Sequence, residues 1–211
     1  MNNVRIKVLQ YMSGGCEYFP WSEWINRRYC EKHAYEYVIR RDTPRQDRHI
    51  CWHKIPIILD ELHDCDYLLF LDADAVFYSH ELKIEQELLP LNAGKTVLMS
   101  ADCGGEYHRW CPHGANAGVM FIHVNEISKN LFNDWDAVSD TYVESRWNWP
   151  PEQLAFGHTV FPKYQDHIKV EVEYYMFQGY LGQYIRHYCT IPNERRTHEM
   201  RLIYQRLTAS D

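Results

Sequence analysis

The sequence predicts an α/β protein: a mostly parallel central sheet flanked by helices. Strand-like and helix-like segments alternate through the first half, as parallel sheets with crossover helices require. The run Tyr67-Leu68-Leu69-Phe70-Leu71 is continuously apolar, the pattern of a central strand covered on both faces. No internal repeat, low-complexity tract or Gly/Ser linker divides the 211 residues, so residues 1–211 are expected to form one domain.

The elements follow in order. Val4–Met12 predicts a first strand, with Ser13-Gly14-Gly15 as its exit. Pro20 opens a helix that carries Trp21, Trp24, Ile25 and Tyr29 at helical spacing. Tyr35–Ile39 alternates like a short strand. Over His49–Leu62 the side chains Trp52, Ile55, Leu59 and Leu62 share one helical face, and Pro56 marks a kink or a first turn. After the central strand, Thr96–Ser100, Gly118–His123 and Ile168–Val172 predict further strands. Ile127–Val138, Glu152–Gly157 and Glu194–Leu207 predict helices.

Composition excludes several classes. The chain is 45% hydrophobic and 24% charged, which is globular rather than disordered. No apolar run approaches the ~18 residues of a membrane span. A net charge of −7 argues against nucleic acid as partner. The irregularly spaced 7 Cys read as reduced thiols, and MNNVRIKVLQ has no signal-peptide core. Both predict a cytoplasmic location. The chain is also expected to be one domain of a longer protein.

The strongest chemical signal is Asp72-Ala73-Asp74, directly after the central strand. Ligands of open α/β sheets bind beyond the carboxyl ends of strands. Two carboxylates one residue apart at such an exit can converge on one hard cation, Mn²⁺ or Mg²⁺, which shares its coordination with substrate phosphates. The plainer alternative is that the acids cap a strand. Tyr11, Met12 and Ser13 end the first strand at the same sheet edge.

Four motifs in order then resemble the GT-A-fold glycosyltransferases, in particular the galactosyl/mannosyl transferase and glycogenin-like families. Trp52-His53-Lys54-Ile55, a helix, and LLFLDADAVF resemble their W-x-K-I, helix, strand and D-x-D order. Asn116-Ala117-Gly118 resembles the N-A-G segment that lines the donor sugar. Pro151-Glu152-Gln153-Leu154-Ala155 resembles the acid-Gln element near the reacting carbon. Tyr184-Ile185-Arg186-His187-Tyr188 resembles the late segment whose His is a third metal ligand.

The resemblance implies a Rossmann-like GT-A sheet and transfer of a sugar from a nucleotide diphosphate to a hydroxyl of a glycan or glycoprotein. UDP-glucose or another UDP-hexose is the implied donor, with GDP-mannose next. Asp74 and His187 would hold the cation, and Asp72 the cation or the ribose. Tyr11, Met12 and Ser13 would meet base and ribose, and Lys54 the diphosphate. Retention is implied, with Gln153 beneath the anomeric carbon. Inversion would instead make Glu152 the base. The chain departs from the family after His187, where Tyr188-Cys189-Thr190 replaces a Gly and no later Lys follows. Arg195 and Arg196 are the nearby basic residues, and they are the alternatives to Lys54 for meeting the diphosphate.

Four further readings are weaker. LLFLDADAV also fits the D-x-D-x-[TV] signature of haloacid-dehalogenase-like phosphatases, but some seventy residues precede it. A non-catalytic nucleotide-sugar binding module would not need the acid-Gln pair. Cys103, His108, Cys111 and His113 suggest zinc, yet the single residue between Cys111 and His113 is tighter than finger spacings. Gly94-Lys95-Thr96 mimics a P-loop end, although Leu89 stands where its first glycine belongs.

Overall fold

A computed structural model describes residues 4–101, 114–141, 151–172, 177 and 179–209. Six strands form the main sheet in the order β2-β1-β3-β6-β5-β7. They are β1 (Ile6–Tyr11), β2 (Glu36–Arg40), β3 (Tyr67–Asp72), β5 (Val97–Ala101), β6 (Ala115–His123) and β7 (Ile168–Glu171). β2, β1 and β3 run parallel, as do β5 and β7, and β6 opposes both β3 and β5. All but β6 therefore share one direction, and the expected mostly parallel sheet is present.

Helices cover both faces. They are α1 (Phe19–His33), α2 (Lys54–Glu61), α3 (Ile84–Asn92), α4 (Glu126–Thr141), α5 (Pro151–Ala155), α6 (Phe161–Tyr164) and α7 (Asn193–Thr208). Alternate side chains of β3 explain the apolar run. Leu68 and Phe70 pack with Trp52, Ile55, Trp135 and Phe156, whereas Leu69 and Leu71 pack with Tyr29, Ile84 and Leu88 on the other face. All are buried, and burying each large apolar side chain contributes about 1.5–3 kcal/mol.

Several boundaries differ from the sequence expectation for identifiable reasons. Pro56 lies in the first turn of α2, where its missing N–H costs nothing, behind a 3₁₀ turn at Ile50–His53. β6 starts at Ala115 rather than Gly118, because Ala115 and Asn116 pair with Ala101 and Ser100 across a bulge. The helix at Glu152 passes at Phe156–Val160 into a π-helical turn.

A second, two-stranded sheet was not expected. β4 (Ala75–Phe77) follows the acidic turn and pairs antiparallel with β8 (Ile185–His187), placing Ala75 opposite His187.

Candidate active site

The sheet's direction gathers the site. Tyr11 and Asp72 are register partners at the carboxyl ends of β1 and β3. Because β6 runs the other way, its amino end, Asn116-Ala117-Gly118, reaches the same edge beside Asp72. A reversed strand thus delivers the N-A-G segment to the D-x-D turn.

A buried polar network holds that turn. Gln10 Nε2 donates to Ser22 Oγ (3.0 Å), Asp72 O (3.1 Å) and Ala75 O (3.3 Å). Ser22 Oγ donates to Ala73 O (2.7 Å). Asn26 Nδ2 donates to Ala75 O (2.9 Å), and Asn26 Oδ1 accepts from Phe77 N (3.0 Å). Side chains of β1 and α1 therefore satisfy the turn's carbonyls, which would otherwise be buried without partners.

Asp72, Asp74 and His187 come together: one ligand atom from each lies within 4.8 Å of the others. His187 arrives on β8, and Tyr188 N donates to Asp74 O (3.1 Å). Two carboxylates and an imidazole suit Mn²⁺ or Mg²⁺, so this donor set fits a divalent cation. Gly118 makes room for it. A Cβ there would stand 2.0 Å from His187 Cε1, so only glycine lets the ring lie over the strand.

The charges are internally compensated. His187 Nε2 is 3.2 Å from Asp74 Oδ1, and Arg196 Nη2 is 3.3 Å from Asp74 Oδ2. Lys54 Nζ lies 2.8 Å from both Asp72 oxygens and 3.4 Å from Glu152 Oε1. Burial pushes Asp74 up, but His187 and Arg196 outweigh it and hold the carboxyl at about 2. Burial and the neighbouring Asp74 raise Asp72 above the usual carboxylate range against the pull of Lys54 and His187. Burial would lower both His187 and Lys54. Asp74 carries the His187 pKa above its ordinary value, and Asp72 and Glu152 do the same for Lys54.

A cavity of about 230 Å³ opens beside these groups. Tyr11, Ser13, Lys54, Asp72, Asp74 and His187 are among the residues that line it. Met12 is buried at the end of β1. Asn116, Ala117, Gly118, Glu152 and Gln153 form the adjoining, buried shell rather than the described cavity wall. Ala117 N donates to Gln153 Oε1 (3.0 Å), and Trp135 Nε1 donates to Glu152 O (3.0 Å), which locks α5 against β6 and α4. Tyr11 Oη lies 2.8 Å from His53 Nδ1, whose Nε2 faces Arg45 O at 2.9 Å. That carbonyl requires an Nε2–H, so Tyr11 donates its hydroxyl proton to Nδ1.

Sequence reasoning missed Tyr18, Phe19, Ile50 and Cys51 in the cavity wall, and named Arg196 as one of three alternative diphosphate contacts, with Arg195 and Lys54. Phe19 and Tyr18 precede Pro20, so their place at a helix mouth facing the sheet edge was the available signal. Cys103, His108, Cys111, His113 and Gln178 lie outside the described residues.

The sheet order and flanking helices define the class: a GT-A-like glycosyltransferase fold. A glycosyltransferase involved in the glycosylation of the major capsid of PBCV-1 matches with a TM-score of 0.75 and 17% identity, over 94% of this chain and 99% of that one. The glycosyltransferase GlyE of Streptococcus pneumoniae TIGR4 matches with a TM-score of 0.52 and 15% identity, over 82% of this chain but 46% of GlyE. More particularly, residues 22–103 match the sequence model of the galactosyl transferase GMA12/MNN10 family. That segment includes Lys54, Asp72 and Asp74 and ends before Asn116. No curated protein matches the chain in sequence. The family segment and the fold together support a glycosyltransferase enzyme and give no support to the phosphatase. Among the described residues no helix is long and apolar enough to cross a membrane.

Proposed function

We propose that residues 1–211 form the catalytic domain of a metal-dependent, cytoplasmic hexosyltransferase. It would move a hexose from UDP-glucose or UDP-galactose to a hydroxyl of a glycan or glycoprotein, with retention of configuration. The observation that best supports this reading is the convergence of Asp72, Asp74 and His187 beside Tyr11 and Ser13, at the carboxyl edge of the sheet.

Asp74 and His187 would hold Mn²⁺ or Mg²⁺, with Asp72 on the cation or the ribose. When bound, the cation supplies positive charge for a departing diphosphate. Tyr11, Met12 and Ser13 receive base and ribose. Asn116, Ala117 and Gly118 border the sugar. The N–H of Ala117 fixes the Gln153 amide at the strand end. The second lone pair of its oxygen then stabilises positive charge at the reacting carbon. Lys54, between Asp72 and Glu152, holds both carboxylates in place.

Inversion has one observation in its favour. Glu152 Oε2 is buried without a hydrogen-bond partner among the described residues, as a base awaiting an acceptor hydroxyl would be.

Thermal melting with UDP, UDP-glucose, UDP-galactose and GDP-mannose, in Mn²⁺ or in EDTA, tests the reading. UDP should raise Tm clearly in Mn²⁺ and weakly in EDTA, and Asp74→Asn should abolish the difference. Equal shifts with and without metal would sink the metal-bridged diphosphate. The anomeric configuration of the product, read by NMR, separates retention from inversion.

A further inference from the structure

We propose that Arg196 is the residue that grips the donor's diphosphate, and that in the metal-free protein it substitutes for the cation on Asp74. The inference rests on the reading of this site as one for a metal-bound nucleoside diphosphate.

Arg196 sits in the first turn of α7, and its guanidinium is fixed from several sides. Nε donates to Tyr188 O (2.9 Å), Nη2 to Cys189 O (3.1 Å) and Nη1 to Tyr18 Oη (3.3 Å). The two carbonyls directly follow β8, so Arg196 is tied to the strand that carries His187. Its side chain is 17% exposed, and the exposed part lines the cavity beside Asp74 and His187.

Its one carboxylate neighbour among the described residues is Asp74 Oδ2, at 3.3 Å. Asp74 is also a metal-ligand candidate. A cation on Asp74 would therefore deprive Arg196 of its counter-ion and set two positive charges side by side in a half-buried pocket, which is unfavourable unless an anion lies between them. A diphosphate supplies that anion. The guanidinium fork matches phosphate oxygens, and its other bonds hold it ready for them. Lys54 is a poorer candidate, since Asp72 and Glu152 already surround it.

Two opposite effects follow. Arg196 should weaken binding of the metal alone and strengthen binding of metal with diphosphate, so that each ligand raises the affinity for the other.

Calorimetry on the full chain tests this with Mn²⁺ alone, uridine, and UDP in Mn²⁺. Arg196→Ala should bind Mn²⁺ alone several-fold more tightly, bind UDP in Mn²⁺ roughly ten-fold more weakly, and leave uridine unchanged, the size expected for one lost charge-assisted contact. A merely structural role would weaken all three together. Arg196→Lys keeps the charge and loses the fork. It should leave Mn²⁺ alone unchanged and weaken UDP in Mn²⁺ several-fold, and it carries the test if the alanine variant does not fold. Unchanged UDP affinity in Mn²⁺ for the variants overturns the proposal while leaving the function standing. Wild-type protein that binds no UDP in Mn²⁺ overturns the function itself and this inference with it.

Discussion

At the scale of single residues, the site depends on an atom that is missing. Gly118 has no Cβ where the His187 ring lies, and the separation a methyl would have, 2.0 Å, is far inside contact distance. Gly118→Ala should displace the ring and lower the apparent Mn²⁺ affinity by roughly the factor that His187→Ala does, about ten-fold for the loss of one ligand's support. Combining the two should cost little more than either alone. Additive losses in Mn²⁺ titrations of the double variant would show that the two residues act independently. Gln153→Ala should lower kcat far more than it weakens UDP-hexose binding, because its oxygen is assigned to charge that develops at the reacting carbon. Near-normal turnover would leave Gln153 only its bond to Ala117. The acids were legible in the sequence because a carboxylate pair at a strand exit has a chemical meaning by itself. His187 was legible only through the motif order, since one imidazole among 12 His has no pattern of its own.

At the scale of elements, the clamp between β1, α1 and the acidic turn was invisible beforehand. Gln10, Ser22 and Asn26 are fully buried, yet in sequence they are ordinary polar residues on a strand and a helix. Asn26→Ala would remove the acceptor of Phe77 N and leave Ala75 O to Gln10 alone, costing about 1–3 kcal/mol of stability. Urea unfolding measures that cost, and an unchanged midpoint would mean that water replaces the amide. β4 and β8 escaped notice because three-residue strands are too short to show a period. By contrast, α3 was within reach: Ile84, Leu88 and Leu91 are helically spaced, and Pro90 near its end obscured them.

The segment after β4 also carries a pH dependence. His80 is buried with Nε2 unpartnered among the described residues. Burial, aided by Lys32, Arg206 and His33 and opposed by Glu81, pushes its pKa down to about 4. The folded protein resists a proton that the unfolded chain accepts, so stability is full above ~6.5 and falls as pH drops toward about 4, by about 3 kcal/mol at most. His80→Gln should flatten the fall of Tm between pH 6.5 and 4.5. An equally steep fall in the variant would assign the effect to carboxylates instead.

At the scale of the whole molecule, the alternation of strands and helices yielded the main sheet, because burial on both faces leaves a strong mark on β3. The direction of β6 was not legible, since pairing partners are set by distant residues such as Ser100 and Leu71. Ligands should stiffen the molecule unevenly. Hydrogen exchange should slow at Ala75–Phe77 and Ile185–His187 when Mn²⁺ and UDP are added together, with β1 and β3 little changed. Uniform protection would mean that the cation does not join the small sheet to the large one.

The pairing of Ala75 with His187 also sets a timetable for the growing chain. A ribosome extends a protein by about 5–20 residues per second, so β4 and its two acids wait on the order of ten seconds for their partner strand. During that interval the nascent protein holds a finished acidic turn that nothing closes. On the proposed reading, competence to bind donor would arrive only after β8 and Arg196 of α7 have emerged, and a chain released before them would carry the main sheet without the third ligand.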